Sequence, residues 1–341
     1  MADVVIVVGT KRGNEYVSPI EVKQMVGRAG RKHGGETATA HVIVEDDRAA
    51  EVKASLEQGT NMEVKSSFGT TDGVYFHLMP EISSGRVTNA DSAQRWFDRS
   101  LSAYQSRKVN FEKVFDKMEK MGAIRRMLPG KSIQATRVGE IASDLYFHPG
   151  DVQAWKDNFD KLFELGLEND NAGIAWALGT RTHAKSHGDF GDHRYIIGEY
   201  RSALPMGLDI EDGTVTQVVL WWCSMGGPSA GKMRNQMLEL RDDIGRIKRA
   251  LVRLDKEVAK WDRGSFFDEM ELMVRKGITT ILVELCKLPG ITKGRADFLY
   301  NAGAKDAESI VEIMGNIEDE IDDSFKVALL EIANGVRRQS H

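Results

Sequence analysis

From Ser229 to Trp261 the chain runs without a proline, and Met233, Met237, Leu240, Ile244, Ile247, Leu251 and Leu254 recur at spacings of three and four. That period is the apolar stripe of one long amphipathic helix, which obliges the rest of the chain to supply neighbours that cover it. The opposite side is expected to present Arg234, Arg241 and Lys248, with Arg249 beside them. A row of cations on a long helix can follow a nucleic-acid backbone. The interspersed Glu239, Asp242, Asp243 and Asp255 leave a second reading open, a charged and solvated bundle helix.

Helical texture extends upstream. Trp155, Phe159, Leu162 and Phe163 recur at helical spacing, which marks core and not a base-stacking ladder. Between residues 66 and 150 the pattern predicts helices over 74–82, 90–104 and 111–121. A hairpin follows, Ile124–Met127 and Ser132–Thr136 around Pro129-Gly130, and helices followed by a short hairpin suggest a winged helix. The first 60 residues read strand, helix, strand, helix, over Val4–Val8, Pro19–Arg31, Thr39–Val44 and Asp46–Gln58, with Asp46 or Asp47 as the last helix cap. The expected fold class is mixed and mostly α, with a partial α/β segment first.

A length of 341 residues allows two to four domains, and a net charge of −5 excludes a uniformly basic coat. Any nucleic-acid contact must then come from local basic patches and helix termini. Cys223 and Cys286 are far apart, which fits a reducing compartment and no cysteine-based zinc framework. No 18-residue apolar run and no cleavable N-terminal signal occurs, so an intracellular protein without membrane contact is expected.

Chemistry concentrates first in Gln24-Met-Val-Gly27-Arg28-Ala-Gly30-Arg31. In a continuous helix Gln24, Arg28 and Arg31 would share a face. Two guanidinium forks and an amide then suit a polyphosphate, because arginine binds phosphate oxygens bidentately and keeps its charge. A solvated basic helix face is the alternative. Gly226-Gly-Pro-Ser-Ala-Gly231-Lys232 matches GxxxxGK after the strand-like Val218–Ser224, but Met233 stands where the Mg²⁺-binding hydroxyl of a P-loop belongs. A loop and helix start is the better reading. His183, His187, Asp189, Asp192 and His193 allow a divalent metal chemically, yet Gly188 and Gly191 and the lack of HExxH favour an exposed polar loop. No metal is therefore expected.

Near the other end, Ile281–Leu288, Pro289-Gly290-Ile291-Thr292-Lys293-Gly294-Arg295 and Ala296–Gly303 read as a helix-hairpin-helix. Backbone amides opening the second helix can hold a phosphate oxygen without reading bases, aided by Lys293 and Arg295. Thr292 stands where a second glycine is usual. A plain helical hairpin is the alternative.

At Gln24–Arg31 the chain resembles motif VI of superfamily 2 helicases, in the superkiller-type branch that holds the HelQ/Hjm DNA repair helicases and the Sec63-type RNA helicases. Val4–Val8 and Val17–Lys23 resemble the strand and loop leading into that motif, Thr136–Ser143 the exit from the wing, Asn171–Leu178 a bundle helix, and Leu299–Gly303 with Asp306–Val311 the C-terminal end. The long helix resembles the ratchet helix of these enzymes. The resemblance implies the end of a second RecA-like domain over residues 1–62, a bracing winged helix over 63–150, a helical ratchet bundle over 151–275 and a helix-hairpin-helix domain over 276–341. It implies ATP bound through Gln24, Gly27, Arg28 and Arg31, with Arg28 and Arg31 as catalytic arginine fingers, and 3′-to-5′ translocation on single-stranded or forked DNA. ATP and Mg²⁺ are expected only with a first RecA-like domain that carries a P-loop, on a separate polypeptide or elsewhere in a larger one, and no ATPase is expected of this chain alone. An adaptor that binds nucleic acid without ATPase, or part of an RNA-acting Sec63-type enzyme, are the competing expectations.

Overall fold

The computed structural model describes residues 4–12, 15–30, 38–57, 66, 68, 71–127, 132–182, 194–228 and 233–339. The chain divides into two compact units, residues 1–66 and 67–341.

In the first unit β1 (Val4–Val8) is followed by the short antiparallel pair β2 (Lys11–Arg12) and β3 (Glu15–Tyr16), α1 (Pro19–Val26), β4 (Thr39–Ile43) and α2 (Ala49–Glu57). β1 and β4 pair in parallel, Val4 opposite Thr39 through Val8 opposite Ile43, around the crossover that contains α1. Ser18 starts α1 with a capping box: its hydroxyl accepts the Glu21 amide at 3.3 Å, and the Glu21 carboxylate accepts the Ser18 amide at 3.1 Å. Val7 and Val22 are buried, whereas Val4, Ile6 and Val8 stand 51%, 60% and 78% exposed. A parallel sheet with apolar residues on both faces is of the kind that is covered on both sides. Two local expectations fail. α1 ends at Val26 and not at Arg31, because Gly27 closes it. Neither Asp46 nor Asp47 caps α2, since both lie inside a 3₁₀ turn, Asp46–Arg48, that leads into it.

The second unit begins with α3 (Thr71–Ser83), α4 (Ala90–Phe97), α5 (Leu101–Tyr104) and α6 (Phe111–Lys120), then the antiparallel pair β5 (Ile124–Met127) and β6 (Ser132–Ala135). Val74, Leu78, Met79, Phe97, Phe115 and Met118 form their shared core. α7 (Arg137–Leu145) leaves this hairpin through Thr136, whose hydroxyl caps Gly139 at 3.2 Å. Gly139 lies so close to the turn before β5 that a Cβ there would sit 2.1 Å from the Ala123 carbonyl oxygen.

α8 (Pro149–Glu164), α9 (Asn171–Gly179), α10 (Tyr195–Ala203), α11 (Val215–Ser224), α12 (Arg234–Leu254) and α13 (Gly264–Lys276) build the bundle. α14 (Val283–Lys287), α15 (Lys293–Asn301), α16 (Ala307–Ile317) and α17 (Asp323–Gln339) follow. One apolar cluster runs from Val138 to Ile332, so the last helices share their core with the bundle. α11 overturns the strand expected at Val218–Ser224. A short continuous apolar run cannot be told from an all-round buried helix by periodicity, and this one packs against α9, which is buried on every face. A Cβ on Gly179 would lie 2.9 Å from Val218 Cα, so glycine permits that close approach.

The carbonyls at the end of α9 find donors on α8. The Trp155 indole N–H donates to Leu178 at 3.0 Å, and the Asn158 amide donates to Ala177 at 3.0 Å and Thr180 at 2.8 Å. α12 stops short of Trp261, giving way at Asp255–Ala259 to a wider π turn. The buried Asp255 carboxylate accepts the amides of Asp262 at 2.7 Å and Arg263 at 2.9 Å, which ends the long helix and redirects the chain into α13. Among the described residues no helix is long and apolar enough to cross a membrane. Because Gly139 abuts rigid backbone, Gly139→Ala is expected to destabilise the protein by about 1–3 kcal/mol in a denaturant titration.

Candidate nucleotide and nucleic-acid interfaces

In the first unit Gln24 is exposed near the end of α1, Gly27 is the helix C-cap, and Arg28 follows in a turn where its amide donates to Met25 at 3.2 Å. Gly30 has φ +72°, and a Cβ there would lie 2.6 Å from Ala38 Cβ. Glycine is thus required by both backbone conformation and space. The turn, not a continuous helix, sets where Arg28 stands relative to Gln24. Arg31 lies outside the described residues. Arg28 is exposed and makes no ion pair among the described residues. Two other cations of this unit are committed: Arg48 stacks 3.6 Å over the Tyr16 ring, and Lys11 lies 4.9 Å over the same ring and pairs with Glu45 at 3.1 Å.

In the second unit the cation row on α12 is not where the sequence suggested. At 100° per residue, Arg241 is only about 60° around the helix from Ile244, and Lys248 from Leu251. Both therefore flank the apolar stripe and meet α13. The Lys248 ammonium bonds the carboxylates of Asp268 and Glu271, and Arg275 bonds Glu271 at 2.7 Å. Arg241 lies over the end of α13, with Nη2 2.8 Å from where a Cβ on Gly277 would be. Arg234 and Arg249 remain exposed, without ion pairs among the described residues.

Sequence reasoning missed Arg246 and Arg253 on the same helix. Arg246 donates to the Tyr146 carbonyl at 3.1 Å, pairs with Asp243 at 2.8 Å and stacks 4.2 Å over the Phe147 ring. Arg253 reaches Asp144 at 2.8 Å and Glu257 at 3.0 Å. Together they cap the end of α7 with cations, where its carbonyls point. Nothing in their spacing distinguishes them from solvated charges.

The turn between α14 and α15 also differs from expectation. Gly290 has φ +72° and faces Ala328, whose Cβ would be 2.9 Å from an added Cβ. Thr292 caps α15, its hydroxyl accepting from the Arg295 amide at 3.5 Å. Lys293 donates to the Gly277 carbonyl at 2.8 Å. Arg295 donates to the Gly290 carbonyl at 2.9 Å and to the Ser324 hydroxyl, and lies 4.8 Å over Phe325. Both cations expected at a phosphate are therefore engaged by the protein, and Lys276 holds the turn from beneath through Cys286 at 2.7 Å and Ile291 at 3.2 Å. Thr292, Lys293 and Gly294 present their residues to solvent, and a Cβ on Gly294 would meet nothing within 4 Å.

The other two motifs are only partly visible. Gly226 and Gly227 follow a helix, α11, so the strand that a P-loop requires is absent before them. Residues 229–232 and the histidine-rich stretch 183–193 lie outside the described residues.

Two measurements check this geometry. Gly290→Ala should cost about 1–3 kcal/mol in unfolding free energy, while Gly294→Ala should be neutral or gain up to about 1 kcal/mol. Burial pushes the Glu271 carboxyl up, but hydrogen bonds from Lys248 and Arg275 outweigh it and hold the group below its ordinary value of 4.5. A carboxylate depressed in the folded state stabilises above its unfolded value and loses that stabilisation as pH falls through the folded one. Glu271→Gln should accordingly flatten the loss of thermal stability on acidification below pH 4.5 relative to the parent chain.

No protein-family model matches the chain. It is similar to the ATP-dependent DNA helicase Hel308 of Thermoplasma acidophilum, 22% identical over 318 residues. The Hel308 proteins of Thermoplasma volcanium and Pyrococcus horikoshii are 22% identical over 308 residues and 23% over 328. Each likeness covers 87% of this chain and 44% of the relative, so the chain spans less than half the length of these curated relatives. A similarity sustained through both structural units supports a helicase region.

Proposed function

We propose that the chain is the C-terminal portion of a superfamily 2 DNA helicase of the HelQ/Hjm type. On this reading the first unit is the end of a second RecA-like domain, α3–β6 a winged helix, α12 a ratchet helix and α14–α15 a helix-hairpin-helix. The observation that carries the reading is the likeness to Hel308 helicases over 87% of the chain, coupled to an exposed Arg28 free of ion pairs among the described residues. A guanidinium held at a turn and not spent on a carboxylate suits phosphate oxygens that another domain brings. The open apolar face of β1 fits further α/β structure packing on it.

ATP with Mg²⁺, held by a P-loop-bearing RecA-like domain, would supply the phosphoryl transfer. This chain's share is then electrostatic: Gln24 orients toward the phosphates, and Arg28, with Arg31, neutralises charge that develops on them. Closure of the two RecA-like domains would drive a DNA strand in the 3′-to-5′ direction past the bundle, where Arg234 and Arg249 are the exposed cations of α12.

Reconstitution with a P-loop-bearing RecA-like domain tests this. DNA-stimulated ATPase should appear only in the mixture and fall by about a thousandfold or more in Arg28→Ala. ATP hydrolysis by the chain alone, or full activity of Arg28→Ala, would overturn the assignment. DNA binding with no ATPase in any mixture would favour the adaptor, and preference for RNA over DNA oligonucleotides a Sec63-type enzyme.

A further inference from the structure

The corner made by α4 and α5 carries charge that the helicase reading leaves unused. Between residues 94 and 108 stand Arg95, Arg99, Arg107 and Lys108 against a single carboxylate, Asp98, in a chain whose net charge is −5. All four cations are exposed, and none has an ion pair or side-chain hydrogen bond among the described residues. Asp98 accepts from the neutral Gln94 amide at 2.7 Å, not from an arginine.

The same stretch carries an aromatic ring. Tyr104 is 86% exposed, and Leu101 beside it is 46% exposed. The backbone beneath is fixed: Ser100 caps α5 through the Ala103 amide at 3.2 Å, the Arg107 amide donates to Ser102 at 3.1 Å, and Phe97 and Ser102 are buried. A fixed corner therefore presents an open phenol ring, with Arg95 and Arg99 before it along the chain and Arg107 and Lys108 after it.

α6 has a different surface, although a helix in that place would ordinarily approach nucleic acid. Its Lys113, Lys117 and Lys120 are matched by Glu112, Asp116 and Glu119. Arg126 on β5 gathers those carboxylates at 3.4, 2.7 and 3.6 Å. α6 with Arg126 thus sets four cations against three carboxylates, whereas the α4–α5 corner sets four against one.

We propose that this corner is a binding surface for single-stranded nucleic acid, with Arg95, Arg99, Arg107 and Lys108 on phosphates and Tyr104 stacked on an unpaired base. The charge calls for a polyanion, and the ring selects a strand whose base faces are open, which a duplex does not offer. Stacking of this kind is indifferent to base identity. The choice of DNA as the strand rests on the helicase reading.

The test is anisotropy of a labelled oligothymidylate of about twenty nucleotides, titrated with the full chain across a salt series. Tyr104→Ala should weaken binding at least about fivefold with the salt slope unchanged, and Tyr104→Phe should restore it. Replacing all four cations by alanine should flatten the logarithmic salt slope by about 0.7 for each phosphate that is no longer neutralised. All three variants should unfold at the parent temperature, since every altered side chain is exposed. Parent-like affinity and slope in Tyr104→Ala and in the fourfold alanine variant overturns the proposal, as does their loss of binding to an acidic polypeptide with oligonucleotide binding intact. If the parent chain binds no oligonucleotide, this proposal and the helicase reading fall together. Binding that depends on Tyr104, with no ATPase in any reconstitution, leaves the corner standing and removes the helicase reading alone.

Discussion

The second unit depends on burial of one stripe of α12. Ile244, Ile247, Leu251 and Leu254 are at most 4% exposed and pack among α7, α8, α11 and α13. Truncating any one of them would cost about 2–5 kcal/mol, a large part of what holds an ordinary domain together. Because this stripe is fixed, so are the side chains along its margins. Their charges must then find partners on the packed neighbours or face outward.

That constraint explains the fate of the basic residues. Lys248 flanks the stripe and is drawn to the acids of α13, Arg246 and Arg253 are drawn to α7, and Arg241 packs beside Gly277 with its Nε buried and without a partner among the described residues. The packing of α12 half-buries these cations, and charge-assisted hydrogen bonds to a carbonyl or carboxylate offset the desolvation that it imposes. At the α14–α15 turn the ends of Lys293 and Arg295 are likewise engaged, by the Gly277 and Gly290 carbonyls. Charges at outward-facing positions, such as Arg234, Arg249 and those of the α4–α5 corner, are spared.

In the first unit the capping box of Ser18 and Glu21 sets the start of α1, and Gly27 sets its end. The eight-residue helix thus places Gln24 near its close and delivers Arg28 from a turn. Gly30 is needed for the fold of that turn because of its positive φ and its contact with Ala38, independent of any ligand. A glycine at this spacing therefore carries structural weight of its own.

Much of this was legible in the sequence. The amphipathic period announced α12, the order strand, helix, strand announced an α/β segment, and the Pro129-Gly130 turn announced the β5–β6 hairpin, since each depends on local spacing and local propensity. The boundary of α1, the helical state of Val218–Ser224 and the partners of the cations were not legible. A run of Val, Leu and Trp is apolar in either conformation, and only the close approach of α9 at Gly179 decides for a helix. Likewise a lysine or arginine has the same spacing whether it pairs within the protein or meets phosphate. The sequence by itself determined which residues could be buried and which could bind an anion. The tertiary structure decided which cations were already spent, because partners such as Glu271, Gly277 and Tyr146 lie far along the chain and come within reach only when the helices pack.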